Sequence, residues 1–155
     1  MTDEEYDAWL EPEIEHYAQE TVQAGSTSAE NAVESARADF HKLLPDGLRS
    51  ENQFLHTVRD PASGADIGVL WIALRPKGGK TEAFIYDIEI NEDHRGRGYG
   101  RATMLACAER ARELGADSVG LHVFGHNTVA RGLYSSLGFR ETDVTMSLPL
   151  AADGG

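Results

Sequence analysis

Cysteine is nearly absent: Cys107 stands alone in 155 residues. No internal disulfide can form, and a reduced, cytoplasmic setting is expected. Long apolar runs are missing too, and nothing approaches the ~18–20 residues of a membrane span. The N-terminus reads MTDEEYDAWLEPEIEHY and is acidic from Asp3. A secretory leader starts basic and turns apolar, so none is expected. Positive charge is scarce: 14 Lys and Arg face 26 Asp and Glu, a net charge of −12. That balance argues against a nucleic-acid binder, which carries a basic footprint. The histidines, at 16, 41, 56, 94, 122 and 126, have no cysteine partner, and no metal site is expected. There is no internal repeat and no low-complexity segment.

What is present is ordinary for a folded domain. Apolar residues at 41% and charged residues at 26% exclude wholesale disorder. The length suits one domain over 1–150, with a disordered tail over 151–155. Charge is unevenly spread. Ten acidic residues and no Lys or Arg lie between Met1 and Ala36. Between Asn91 and Arg112 the balance reverses, with Arg95, Arg97, Arg101, Arg110 and Arg112 against Glu92, Asp93 and Glu109. A local basic cluster in an acidic chain points to one anionic ligand.

Residues 1–53 read as helical. Tyr6, Trp9 and Leu10 predict a short turn. Pro12 fits a first helical position, Ile14, Tyr17, Ala18, Thr21 and Val22 give an apolar face, and Gly25 is the stop. Thr27 and Glu30 predict a capping box, followed by Val33, Ala36, Phe40, Leu43 and Leu44 at helical spacing. Pro45-Asp46-Gly47 ends that helix. Residues 54–150 read as sheet with crossing helices. Strands are predicted over 54–58, 67–74 and 82–90, separated by turn clusters. A helix over 100–114, a strand over 118–124, a helix over 128–137 and one or two strands within 139–148 follow. A strand, a helix and a strand imply a parallel pair. The fold class is therefore mixed α/β.

The chemistry sits in His94-Arg95-Gly96-Arg97-Gly98-Tyr99-Gly100-Arg101. The segment leaves a strand and opens a helix. Glycine allows unusual dihedrals and close ligand approach. Free amides and the helix dipole favour an anion, most naturally a pyrophosphate. No lysine follows Gly100, so a Walker loop is excluded, and G-x-G-x-G spacing late in the chain fits a Rossmann loop poorly.

The segment Arg95-Gly96-Arg97-Gly98-Tyr99-Gly100 resembles the [QR]-x-x-G-x-[GA] signature of the GNAT acetyltransferases. Tyr86-Asp87-Ile88-Glu89-Ile90 is similar to the strand that leads into that loop. Leu121 to Asn127, Ala130 and Leu133 to Phe139 are similar to the later motif. The likeness spans about residues 54–148. It implies a GNAT fold: a central mixed sheet, an N-terminal helix pair on one side, and a strand–loop–helix unit for acetyl-CoA. The usual first strand has no counterpart before the helical start, which would leave a sheet edge for a homodimer partner or the C-terminal tail.

The resemblance implies roles. Ile88, Glu89 and Ile90 would lie along pantetheine. Arg95 and the amides of Gly96, Arg97, Gly98, Tyr99, Gly100 and Arg101 would hold the pyrophosphate. Asn127 would bond the pantetheine arm, or only cap the next helix. Tyr134 would protonate the leaving thiolate. Glu89 is the favoured base, because alternation puts it on one face with Asp87 and paired carboxylates raise one pKa. His122 is the other candidate base, and water alone could serve. The implied activity is acetyl transfer to a primary amine, whether a small amine, a peptide N-terminus or a lysine. The alternative is the same fold sensing acyl-CoA without turnover. Cys107 and Trp71 read as core residues.

Overall fold

The computed structural model describes residues 1–151. Residues 152–155 of the expected tail lie outside that range, and Ala151 is exposed without regular structure. Helix α1 runs Asp3–Gln23 as one element. Its start is set by Thr2, whose hydroxyl accepts from the Glu5 amide at 3.1 Å while the Glu5 carboxylate accepts from the Thr2 amide at 2.8 Å. This reciprocal cap absorbs the predicted short turn and puts Pro12 inside the helix, not at its first position. Pro12 and Ala8 one turn earlier are both exposed, so solvent can serve the carbonyl that loses its donor.

Helix α2 spans Ala32–Leu43, with Asn31 at its N-cap and no side-chain capping bond. The Thr27–Glu30 capping box is therefore not used. Residues 24–31 are spent reversing the chain, and burial of Ala32, Ala36 and Phe40 against α1 sets the helix start instead.

The sheet has the order β1 (Gln53–Arg59), β2 (Asp66–Lys77), β3 (Lys80–Ile90), β4 (Ser118–Leu121). The first three strands are antiparallel neighbours and β4 lies parallel to β3. Gly78 and Gly79, at φ +57° and +78°, make the two-residue turn that matches strand twist. They let β2 and β3 run further toward each other than predicted. Helix α3 (Tyr99–Glu113) crosses from β3 to β4, and α4 (Thr128–Ser136) follows. Short 3₁₀ turns occupy Gly47–Arg49 and Glu92–His94.

Alternation along β2 divides the core in two. Trp71 faces α1 and α2 with Ile14, Ala18, Phe40 and Leu55. Leu70 and Ile72 face α3 with Met104, Cys107 and Ala111. Cys107 is buried, and burial pushes its thiol up to about 11, as suits a core filler. Two expectations fail at the C-terminal side. β4 stops at Leu121, before 124, and no strand forms within 139–148. Both have one cause. A strand needs a neighbour to pair its amides, and β3 stops accompanying β4 beyond Ile85–Leu121.

Candidate active site

The site is built where β3 leaves its parallel neighbour. The β3–β4 pairing ends at Ile85 opposite Leu121, so residues 86–90 have no partner strand on that side. On the other side Trp71 pairs with Asp87 and Ile72 with Ile85, so Tyr86 is an extra residue, a bulge. The bulge bends the strand away and re-aims Asp87, Ile88, Glu89 and Ile90. Gly68 on β2 is required there, because a Cβ would overlap the Glu89 carbonyl oxygen.

The loop after β3 is an open glycine turn at the start of α3. Gly96 and Gly98 sit at φ +76° and +82°, where a β-branched residue is strained. Gly98 is the N-cap of α3, and the first helical bond runs from the Ala102 amide to the Gly98 carbonyl at 3.1 Å. The amides of Tyr99, Gly100 and Arg101 therefore have no intrahelical acceptor. Apart from the adjoining residues, nothing stands within 4 Å of where a Cβ on Gly96 or Gly98 would lie. This open turn at a helix N-terminus fits a pyrophosphate.

The arginines of the motif have separate partners. Arg95 turns back to β3, its Nε donating to the Ile90 carbonyl at 2.8 Å and its Nη2 lying 3.6 Å from Glu89. Arg101 donates to the Ser136 hydroxyl at 3.1 Å and ties α3 to α4. The Tyr99 hydroxyl reaches Asp60 at 3.3 Å. Asn127 caps α4, its side chain accepting from the Ala130 amide at 3.2 Å. Tyr134 is half-buried on α4 with its ring 5.7 Å from that of Phe139. Burial raises its pKa, and the charges of Asp87 and Glu20 raise it further. Tyr134 thus keeps its proton at neutral pH.

One residue was not singled out in the sequence. Glu13, from α1, is buried beside Asp87 and Glu89, and their carboxylate oxygens lie within 4.8 Å of one another. Burial raises the pKa of Glu13, and the charges of Asp87 and Glu89 add to it. Burial also raises Asp87, with the Glu89 charge next. Burial and two neighbouring carboxylates thus both favour the protonated form of Glu13. Two buried polar atoms here, Trp9 Nε1 and Asp87 Oδ2, lack partners. A signal existed: Glu13 stands four residues from both Trp9 and Tyr17, a charge in an apolar stripe. Trp9, Pro12, Glu13, His16, Val69, Glu89 and Asn91 line a groove of about 340 Å³. His122 lies just past β4 and lines a different groove with Tyr17, Asp39 and Phe124. The two candidate bases are thus in separate grooves.

Residues 25–139 match the model of the acetyltransferase (GNAT) family. The chain is 40% identical to the uncharacterized N-acetyltransferase YycN of Bacillus subtilis over 97% of this chain and 96% of that one. It is 32% identical to the uncharacterized N-acetyltransferase YdgE of the same organism, covering 94% and 92%. The YycN crystal structure superimposes with a TM-score of 0.92 at 39% identity, over 98% of this chain and 96% of that one. The family model covers most of the chain and the likeness to YycN extends along nearly its whole length, and the chain belongs to the GNAT family.

Proposed function

We propose that this protein moves an acetyl group from acetyl-CoA to the primary amine of a cationic acceptor. One observation carries the reading. The splayed end of β3 joins an open amide turn at Gly96–Arg101 to a groove lined by Glu13 and Glu89, with Asp87 beside them. The turn suits the pyrophosphate, and Ile88 to Ile90 offer the free strand edge for the pantetheine arm, with Asn127 nearby in role as a second donor. The Glu89 carboxylate suits an ammonium group. Glu89, on the groove wall, removes the ammonium proton. The neutral nitrogen attacks the thioester carbonyl, the carbon–sulfur bond breaks, the Tyr134 hydroxyl protonates the departing sulfur, and the proton that the new amide nitrogen sheds goes through solvent to restore the tyrosine. A small amine, a peptide N-terminus and a lysine all meet the chemical requirement.

The same reading places the enzyme in the cytoplasm. The buried, unpaired Cys107 supports it, and no helix among the described residues is long and apolar enough to cross a membrane. It includes a homodimer, supported by the open outer edges of β1 and β4 among the described residues.

Acetyl-CoA at ~100 times its dissociation constant adds about 2.7 kcal/mol. At about 2–4 °C per kcal/mol this raises the thermal midpoint by roughly 6–10 °C. A panel of amines and peptides then reads free thiol release. No midpoint shift at millimolar acetyl-CoA ends the cofactor assignment. A shift without thiol release on any amine favours an acyl-CoA sensor.

A further inference from the structure

Three carboxylates meet at the splayed end of β3. Glu13, Asp87 and Glu89 bring their oxygens within 4.8 Å of one another. Three negative charges at that spacing repel one another. Some other group has to settle which carboxylate keeps its charge. Burial pushes the pKa values of Glu13 and Asp87 up, and the charge of Glu89 adds to each. Glu89 instead lines the groove with its side chain 37% exposed. Among the described residues it is also the only one of the three with an Arg, Lys or His nitrogen within 4.0 Å. That partner is Arg95, whose Nη2 stands 3.6 Å from Glu89 Oε1.

Arg95 is anchored before it reaches the carboxylate. Its Nε donates to the Ile90 carbonyl at 2.8 Å, a short bond from a charged donor. Ile90 ends β3, one residue beyond Glu89. A guanidinium is planar, so a bond at Nε fixes the plane in which Nη2 lies. The backbone is held as well: the Arg95 amide donates to the Glu92 carbonyl at 3.2 Å and closes the 3₁₀ turn. At 3.6 Å the contact with Glu89 is an ion pair and not a hydrogen bond. Both side chains are part-exposed, so the pair's own strength is small. What the arrangement supplies is aim and sign of charge.

We propose that Arg95 is a positioning residue for Glu89 and not a ligand of the pyrophosphate: strapped to the last carbonyl of β3, it points the carboxylate along the groove and keeps the cluster's negative charge there. This rests on the acetyl-transfer reading, in which Glu89 takes the ammonium proton. The phosphates are left to the amides from Gly96 onward. Arg95 thus joins the cofactor turn to the base, because the residue that opens the turn also holds Glu89.

The test uses the full chain with Arg95→Gln, which keeps one donor for the Ile90 carbonyl and removes the charge. Calorimetry with CoA is expected to give the wild-type affinity. The carbon-13 signal of the Glu89 carboxylate, assigned by its loss in Glu89→Gln, is expected to move in Arg95→Gln at constant pH. With any amine that releases thiol, Arg95→Gln lowers turnover several-fold, by no more than Glu89→Gln does, at an unchanged KM for acetyl-CoA. Arg95→Lys recovers part of that loss. In a chain already carrying Glu89→Gln, Arg95→Gln costs nothing further. Three results overturn the proposal. One is CoA affinity weakened about tenfold or more, the mark of a lost phosphate bond. Another is a Glu89 signal that does not move. The third is a double variant in which the two losses multiply, so that each residue acts alone. The first two readouts need no acceptor. They decide the role of Arg95 even if wild type releases thiol with no amine, a result that ends the catalytic reading by itself.

Discussion

Two regions meet at the C-terminal end of β3, and they are built by opposite means. The region proposed for the cofactor is local: one stretch, Arg95 to Arg101, holds the glycines, the helix N-terminus and the positive charge. It is exposed and its polar atoms face solvent. The acceptor end is assembled across the chain. Glu13 comes from α1, while Asp87 and Glu89 come from β3, more than seventy positions away. It is buried, acidic and short of hydrogen-bond partners. Backbone that binds a phosphate can be written in one loop, because adjacent amides do the work. A site that holds a proton between carboxylates needs burial, and burial needs other elements.

Substitutions separate the two ends. The largest effect belongs to Gly98→Val. At φ +82° the branched side chain is strained and intrudes on the amides. Losing one or two charge-assisted bonds, at about 1.5–3 kcal/mol each, weakens CoA by roughly 10–10⁴-fold in calorimetry. The space around it is open, so circular dichroism and the apo melting point move little. An unchanged CoA affinity would show the loop to be only a turn.

Next comes Tyr134→Phe. Its hydroxyl acts when charge develops on sulfur, so turnover falls by at least about tenfold while CoA affinity holds. Full turnover, with chemistry shown to be rate-limiting, removes the acid role. Glu89→Gln is expected to cost less, several-fold, and most at low pH, where the acceptor is protonated and most needs a base. A loss independent of pH would make Glu89 a binding group only.

The smallest effect concerns stability. The folded-state pKa of Glu13 is raised by burial, so the folded chain binds a proton that the unfolded chain releases. Stability is therefore greatest below the ordinary carboxylate range and declines as pH climbs toward and past neutrality. Glu13→Gln mimics the protonated form and removes that decline, gaining on the order of 1–2 kcal/mol at pH 8 and little at pH 5. Urea unfolding at several pH values measures it. Equal pH slopes in both proteins would assign the proton elsewhere.

Particular elements show what could be read in advance. The strand–loop–helix unit was legible because each signal is local: β-branched and aromatic residues, then glycines, then a helical stripe ending at Gly115. Asp87 and Glu89 were legible as a pair because alternation is a local rule that the bulge at Tyr86 leaves intact beyond itself. The Thr2 cap was missed because Pro12 offered a competing start, and the Thr27 cap was expected because propensity cannot see that Ala32 has to reach α1. The tail pattern was visible as strand. No strand forms there within one chain, since a strand exists only where another strand takes its hydrogen bonds.

The sequence by itself determined the glycine turn and the order of elements from the first helix to the last, because these rest on neighbours in the chain and on fixed periodicities. Only the tertiary structure decided that Glu13 joins Asp87 and Glu89, that His122 faces another groove, and that β4 stops at Leu121. Each of those depends on how far apart two distant segments come to rest, and on the burial that results. Neither distance nor burial is a property of any one residue's place in the chain.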